Sequence, residues 1–332
     1  MRKIEKFFFD IPARPIVKSK KKDSYLNLSD FYSFGKLNKN KIFYVIKRSP
    51  GAGMFSNLTF VMNHLLIAQR HNFIPVVDME NYPTIYNEKK KINGTKNAWE
   101  YYFEPVSKYS LNEVYKSQNV FITSDKFSSE FDHKIYNKKK FNKIYKLIKI
   151  KKKLKNEILL IKKKLFKNKK IIGIHYRGTS YKTSANHPFP PTKLQMYNLI
   201  ENSLKNKNLD KIFLSTEDEI MDTYLKTKFE GKILSVHSFR SKVDNAFKIY
   251  PRNRHRYKLG KEIIVESYLL SFCKNFIFVQ TNVSNFVRLI NPKVKKKVLF
   301  NGLNSKNEYL AKFLWNIKNN LHPSLGGFKN KI

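Results

Sequence analysis

The chain has one cysteine, Cys273, among 332 residues. That excludes an intrachain disulfide and a cysteine-based metal site. Lying in an apolar segment, Cys273 reads as a buried structural thiol. No apolar run approaches the ~20 residues that span a bilayer. The start, Met1 to Asp10, has a Phe7-Phe8-Phe9 run but no signal-peptide core or cleavage site. The expected location is therefore the cytoplasm, with peripheral contact at the inner membrane face as a further expectation. Acidic residues are few, 25 against 66 Lys+Arg, which leaves a net charge of +41. Arginine is also scarce, at ten residues, three of them crowded into Arg252–Arg256. Lys, Asn, Ile, Phe and Tyr abound, the bias of an AT-rich coding sequence. Against it, each retained arginine is a candidate for a role that lysine cannot fill.

The charge invites a nucleic-acid reading, but two observations turn it away. The segment from Lys134 to Lys170 alone holds 17 lysines and one acid, Glu157. The remaining charge is thinly spread, and the aromatics lie in apolar runs without an RNA-binding signature. Solvated lysine faces are the first reading of this basicity, and an anionic membrane surface or acidic lipid-linked acceptor is the second.

A length of 332 residues suits two domains or one large one; the order of the elements places two, at 1–168 and 169–332. Residues 1–40 read as irregular. Ile42–Ile46 reads as a strand, Ser49–Gly53 as a glycine turn, Met54–His71 as a helix and Ile74–Val77 as a second strand, a β-α-β unit. Tyr82–Glu113 reads as loop-rich with short helices. Phe141–Lys167 has the apolar spacing of a basic amphipathic helix or helix pair. A second α/β unit follows: strand 171–174, a helix capped by Thr192, strand 212–215, helix 221–229 and strand 232–236. After these come helix 260–272, strand 276–279, helix 283–290, a short strand at Val298-Leu299 and a last helix near 307–317. The pattern predicts an α/β fold of two Rossmann-like halves facing a cleft.

Five constellations can carry chemistry. Gly51-Ala52-Gly53-Met54-Phe55-Ser56-Asn57 places glycines at a helix N-terminus, where an anion is favoured; a structural turn is the alternative. His175-Tyr176-Arg177-Gly178-Thr179 delivers a planar bidentate cation at a strand end, where α/β sheets bind ligands, and Lys182 can assist. Glu217 and Asp218 follow a strand and can hold hydroxyls, pair with Arg177 or cap the next helix. Glu266 and Thr281-Asn282-Val283-Ser284 offer an acid and a polar helix start, with N-capping as the plain alternative. Arg252–Lys258 reads as a basic loop able to close over a diphosphate. No histidine or acid spacing matches a metal motif, and no cofactor is expected.

Taken in order, these segments resemble the α-1,6-/O-fucosyltransferase superfamily. Gly53–Asn57 resembles its glycine-aromatic-asparagine loop, Ile172–Thr179 its His-x-Arg motif, and Phe213–Asp218 its strand ending in paired acids. Glu266 through Ser271 to Val283 resembles its third C-terminal motif. The resemblance spans roughly residues 42–303. It implies a GT-B-like fold, a GDP-fucose donor, a glycan or lipid-linked oligosaccharide acceptor, inversion at the sugar carbon and no metal. It implies that Arg177 binds the β-phosphate and assists departure of GDP. His175, Thr179, Lys182, Glu217, Asp218, Glu266, Thr281, Asn282 and Val283 would line the donor site, with Gly53, Phe55 and Asn57 facing it from the other domain. Gly178 stands where the core enzymes have a second arginine, and Ser180 where an acid often follows. His187 is the nearest candidate for the base. The alternatives are another nucleotide sugar as donor, or a non-catalytic basic protein binding nucleic acid or anionic surfaces.

Overall fold

The computed structural model describes residues 14–15, 29–124, 143–207 and 209–329. The runs at 7–9 and 20–22, and the lysines between 134 and 140, lie outside the described residues. The chain divides into two compact units. The first comprises Met1–Lys155 and Arg252–Lys261, and the second Asn156–Pro251 and Glu262–Ile332. Both are mixed α/β structures built on parallel strands.

The first unit carries β1 (Arg14–Pro15), β2 (Ser29–Ser33), β3 (Leu37–Ile46), α1 (Met54–Arg70), β4 (Ile74–Val77), α2 (Leu111–Val114) and β5 (Ser117–Thr123). Its sheet runs β1-β2-β5-β3-β4. β3 pairs in parallel with β4 and β5, while β2 joins antiparallel to β5. Phe43, Val45, Val76, Val120 and Ile122 form the core of one face. α1 is buried nearly all round, from Met54 to Ala68. Residues 29–40, expected to be irregular, instead supply a strand and the start of another. Their polar, lysine-rich sequence hides strands that lie near the sheet margin and stay largely exposed.

The second unit continues with α3 (Lys152–Phe166, which starts in the first unit), β6 (Ile171–Tyr176), α4 (Lys193–Lys207), β7 (Lys211–Thr216), α5 (Glu219–Lys228) and β8 (Ile233–Leu234). It ends with α6 (His255–Ser271), β9 (Asn275–Val279), α7 (Asn282–Ile290), β10 (Lys295–Leu299) and α8 (Glu308–Asn320). All five strands are parallel, in the order β10-β9-β6-β7-β8. The chain works outward from β6 on one side through β7 and β8, then returns to place β9 on the other. The β6/β9 junction is therefore the topological switch point, where α/β sheets open a crevice beyond the strand ends. β6 is buried along its whole length, which explains its continuous apolar run. Gly173 in β6 lets α6 pack closely, because a Cβ there would stand 3.0 Å from Cys273 Sγ and Leu270 Cδ2.

Three elements differ from the sequence expectation. The basic amphipathic segment forms α3 and, before it, a helical turn at 143–145; Leu154, Ile158 and Phe166 bury one side of α3 and lysines cover much of the rest. The strand expected at 232–236 is only two residues long. α6 starts five residues earlier than expected, so His255–Lys258 are its first turn and not a loop. Glu88 accepts the Tyr257 amide at 2.9 Å, and Tyr102 stacks on Tyr257 at 5.6 Å. These contacts within the first unit stabilise a helix start that has no clear sequence cap.

Candidate functional site

The glycine turn before α1 is internally satisfied. Gly51 has φ +72°, which a side chain would strain. The Ala52 amide donates to Asn57 Oδ1 at 2.9 Å, and the Met54 amide to the Tyr86 hydroxyl at 2.7 Å. Asn57 and Phe55 are buried, while Gly53 is the N-cap residue of α1, with no side-chain cap. Two of the amides that an anion would use are thus already taken by neutral side chains.

The turn after β6 is built differently. Glu217, just past β7, sends Oε1 across to accept three bonds: from the Gly178 amide at 2.9 Å, the Thr179 amide at 3.0 Å and the Thr179 hydroxyl at 3.1 Å. Its other oxygen lies 3.6 Å from Arg177 Nη1. Arg177 Nη2 donates to Ser180 Oγ at 2.9 Å. The guanidinium carbon lies 5.9 Å from the Tyr181 ring centroid, and that ring packs on His187 at 4.7 Å. Two successive amides, a hydroxyl and an arginine thus converge on a carboxylate. This donor set fits an anion.

Gly178 occupies this turn for a steric reason. A Cβ there would collide with the Asp218 carboxylate and the Tyr176 ring. A larger residue there would force both groups to move. Asp218 is fully buried; it caps α5 through the Met221 amide at 2.9 Å and binds Lys182 Nζ at 2.9 Å.

Behind the turn lies a buried polar layer. His175 sits between β7 and β9, paired in register with Ser215 and Phe278. Its ring nitrogens make no well-formed hydrogen bond, and the Ser215 backbone offers only a weak one. Burial, then the Arg177 charge, pulls its pKa down to about 3, so the ring is neutral at neutral pH. Ser215 Oγ donates to Glu266 Oε2 at 2.7 Å. Arg240 bridges Asp222 at 3.1 Å and Glu266 at 3.7 Å, with both partners almost fully buried. Burial drives the Glu266 pKa up to about 7, and Arg240 and Ser215 hold it below a still higher value. Arg240 and Asp222 received no role from the sequence. The scarcity of arginine was the one signal that marked Arg240.

The remaining predicted positions are scattered around this crevice edge. Thr281 ends the β9 connection and forms a reciprocal capping box with Ser284, at 3.0 and 2.9 Å. Asn282 and Val283 are the first turn of α7, half-buried. His187 is exposed, and its Nδ1 donates to the Ala185 carbonyl at 2.8 Å. Among the described residues, no group of three or more His, Cys, Asp or Glu side chains is placed to hold a metal ion.

No family model matches the chain. Among curated proteins it is similar to protein Ycf2 of Physcomitrium patens, at 26% identity over 299 residues. That match covers 83% of this chain, and the chain spans only 13% of that protein's length. Among solved structures, it is similar to NodZ alpha-1,6-fucosyltransferase soaked with GDP-fucose, with a TM-score of 0.52 and 16% identity. The likeness covers 76% of this chain and 94% of NodZ. NodZ co-crystallised with GDP gives 0.51 and 16%, over 76% of this chain and 93% of NodZ. Over about three quarters of its length the chain therefore shares its fold with NodZ.

Proposed function

We propose that the chain is a glycosyltransferase that takes its sugar from a nucleoside diphosphate, with GDP-fucose as the donor. The observation that carries this reading is Arg177 at the end of β6, the switch point of the parallel sheet, on a turn that Glu217 braces through the Gly178 and Thr179 amides and the Thr179 hydroxyl. Support comes from the fold shared with NodZ, which was soaked with GDP-fucose.

In this reading the two units are the two halves of a GT-B arrangement. Arg177 binds the β-phosphate and takes up the negative charge that develops as the bond from the sugar carbon to the diphosphate oxygen breaks. An acceptor hydroxyl of a glycan or lipid-linked oligosaccharide attacks the opposite face of that carbon, which inverts it. His187 Nε2 takes the hydroxyl proton. Lys182, held by Asp218, adds positive charge at the same edge. Neutral His175, Glu266 and the start of α7 form the nucleotide side. Glu217 braces the turn. No metal takes part.

A calorimetric panel of nucleotide sugars in EDTA tests the proposal. GDP-fucose is expected to bind with the highest affinity and to be hydrolysed slowly. Preference for a uridine or thymidine sugar would replace the donor. No binding by any member would remove the transferase reading and leave the basic binding protein as its successor.

A further inference from the structure

The last helix of the second unit is apolar on two opposite sides. Ala311 and Trp315 face inward, and Trp315 packs on Phe189 and Phe328. The other side carries Tyr309, Leu310, Phe313 and Ile317, whose spacing places them on one stripe. All four are exposed, from 53% for Ile317 to 77% for Tyr309. A single exposed leucine is ordinary, but a continuous stripe of large apolar side chains on a helix is not. The approach to α8 adds two more exposed apolar side chains, Phe300 and Leu303, each 60% exposed. This loop is fixed to α8. Asn304 donates to the Ala311 carbonyl at 3.0 Å, and the Phe189 amide donates to Gly302 at 3.0 Å.

The segment that carries the stripe is strongly basic. From Lys293 to Lys329 the chain holds eight lysines and one acid, Glu308. Lys295, Lys296 and Lys297 project from β10, an edge strand that pairs only with β9 and is exposed along nearly its whole length. A second copy of the chain would bring lysines against lysines, on top of a net charge of +41 per molecule. An anionic bilayer meets both demands: acyl chains take the apolar stripe, and headgroups take the lysines.

We infer that the α8 face and the β10 lysines form a docking surface for anionic lipid bilayers, seating α8 in the plane of the interface. The inference is independent of the donor and of transferase activity. The full-length protein is mixed with vesicles of phosphatidylcholine containing a third phosphatidylglycerol, or of phosphatidylcholine alone, and bound protein is read by flotation. Binding to the anionic vesicles is expected to be at least about tenfold tighter than to the neutral ones, and to weaken with salt. The variant Leu310→Ser/Phe313→Ser/Ile317→Ser is expected to lose at least about tenfold in binding, with an unchanged melting temperature. A second variant, Lys295→Gln/Lys296→Gln/Lys297→Gln, leaves the stripe intact and is expected to lose anionic preference by about tenfold. Equal binding by both variants and the unaltered protein overturns the inference, as does absence of vesicle binding. Self-association in sedimentation velocity, or duplex RNA binding, that the serine variant loses would assign the face to that partner instead.

Discussion

The two glycine turns, at Gly51–Gly53 and at Arg177–Ser180, each follow a strand and differ as chemistry. In the first, the Ala52 and Met54 amides are closed by an asparagine oxygen and a tyrosine hydroxyl. In the second, the Gly178 and Thr179 amides are closed by a carboxylate that Arg177 also approaches. The first turn is closed by neutral groups. The second is already an anion-holding turn, with Glu217 as its internal anion. A glycine at a helix or strand end therefore signals backbone shape; the charge of the group that satisfies its amides tells what the turn is for.

The largest test of this contrast is Arg177→Ala, expected to lower sugar transfer or donor hydrolysis by at least ~100-fold, the scale of one lost oxyanion-type donor. Steady-state rates check it. Asn57→Ala is expected to leave activity per folded molecule within a few-fold but to cost about 1–3 kcal/mol of stability, because the Ala52 amide loses its acceptor. Equal catalytic loss in both variants would erase the distinction.

The next test compares glycines. Gly178→Ala forces a Cβ against Asp218 and Tyr176 and is expected to cost about 1–3 kcal/mol in chemical denaturation. Gly53→Ala places its Cβ in open space at φ −57° and is expected to stay within about 0.5 kcal/mol.

The smallest effect is a pH slope. His175 and His64 both titrate near pH 3 in the fold, below the ordinary 6.5, so acidification from about 6.5 toward 3 favours the unfolded chain, which binds protons first. Glu266 works the opposite way. With its pKa up at about 7 against 4.5, the fold holds a proton the unfolded chain has lost, and stability falls as pH rises through that window. The two slopes oppose each other between about pH 4.5 and 6.5. Glu266→Gln is expected to expose the histidine slope, steepening the acid loss by about 1.4 kcal/mol per pH unit. Denaturation midpoints across that range check it.

Most of the second unit was legible in advance because β6, β7 and β9 are buried nearly throughout and announce themselves as apolar runs. The helix caps at Asp218 and Thr281 were legible for the same local reason, a short polar side chain before a periodic segment. Strands near the sheet margin were not, since β2 and the start of β3 are polar and their pairing is set by β5, far along the chain. The early start of α6 was hidden too, because Glu88 and Tyr102, distant in sequence, stabilise it. In the site, Arg177 stood out from its motif. The pairing of Glu217 with Arg177 was among the expectations, but its hold on the Gly178 and Thr179 amides and the Arg240 bridge were not, as each joins residues that only tertiary packing brings together.

The central claim is that the turn after β6, and not the turn before α1, receives the diphosphate. A crystal structure of the protein with GDP tests this most directly. The account predicts β-phosphate density within hydrogen-bond distance of Arg177, beside the Thr179 hydroxyl. Diphosphate seated on the amides of Gly51–Gly53, with Arg177 still paired to Glu217, would contradict it.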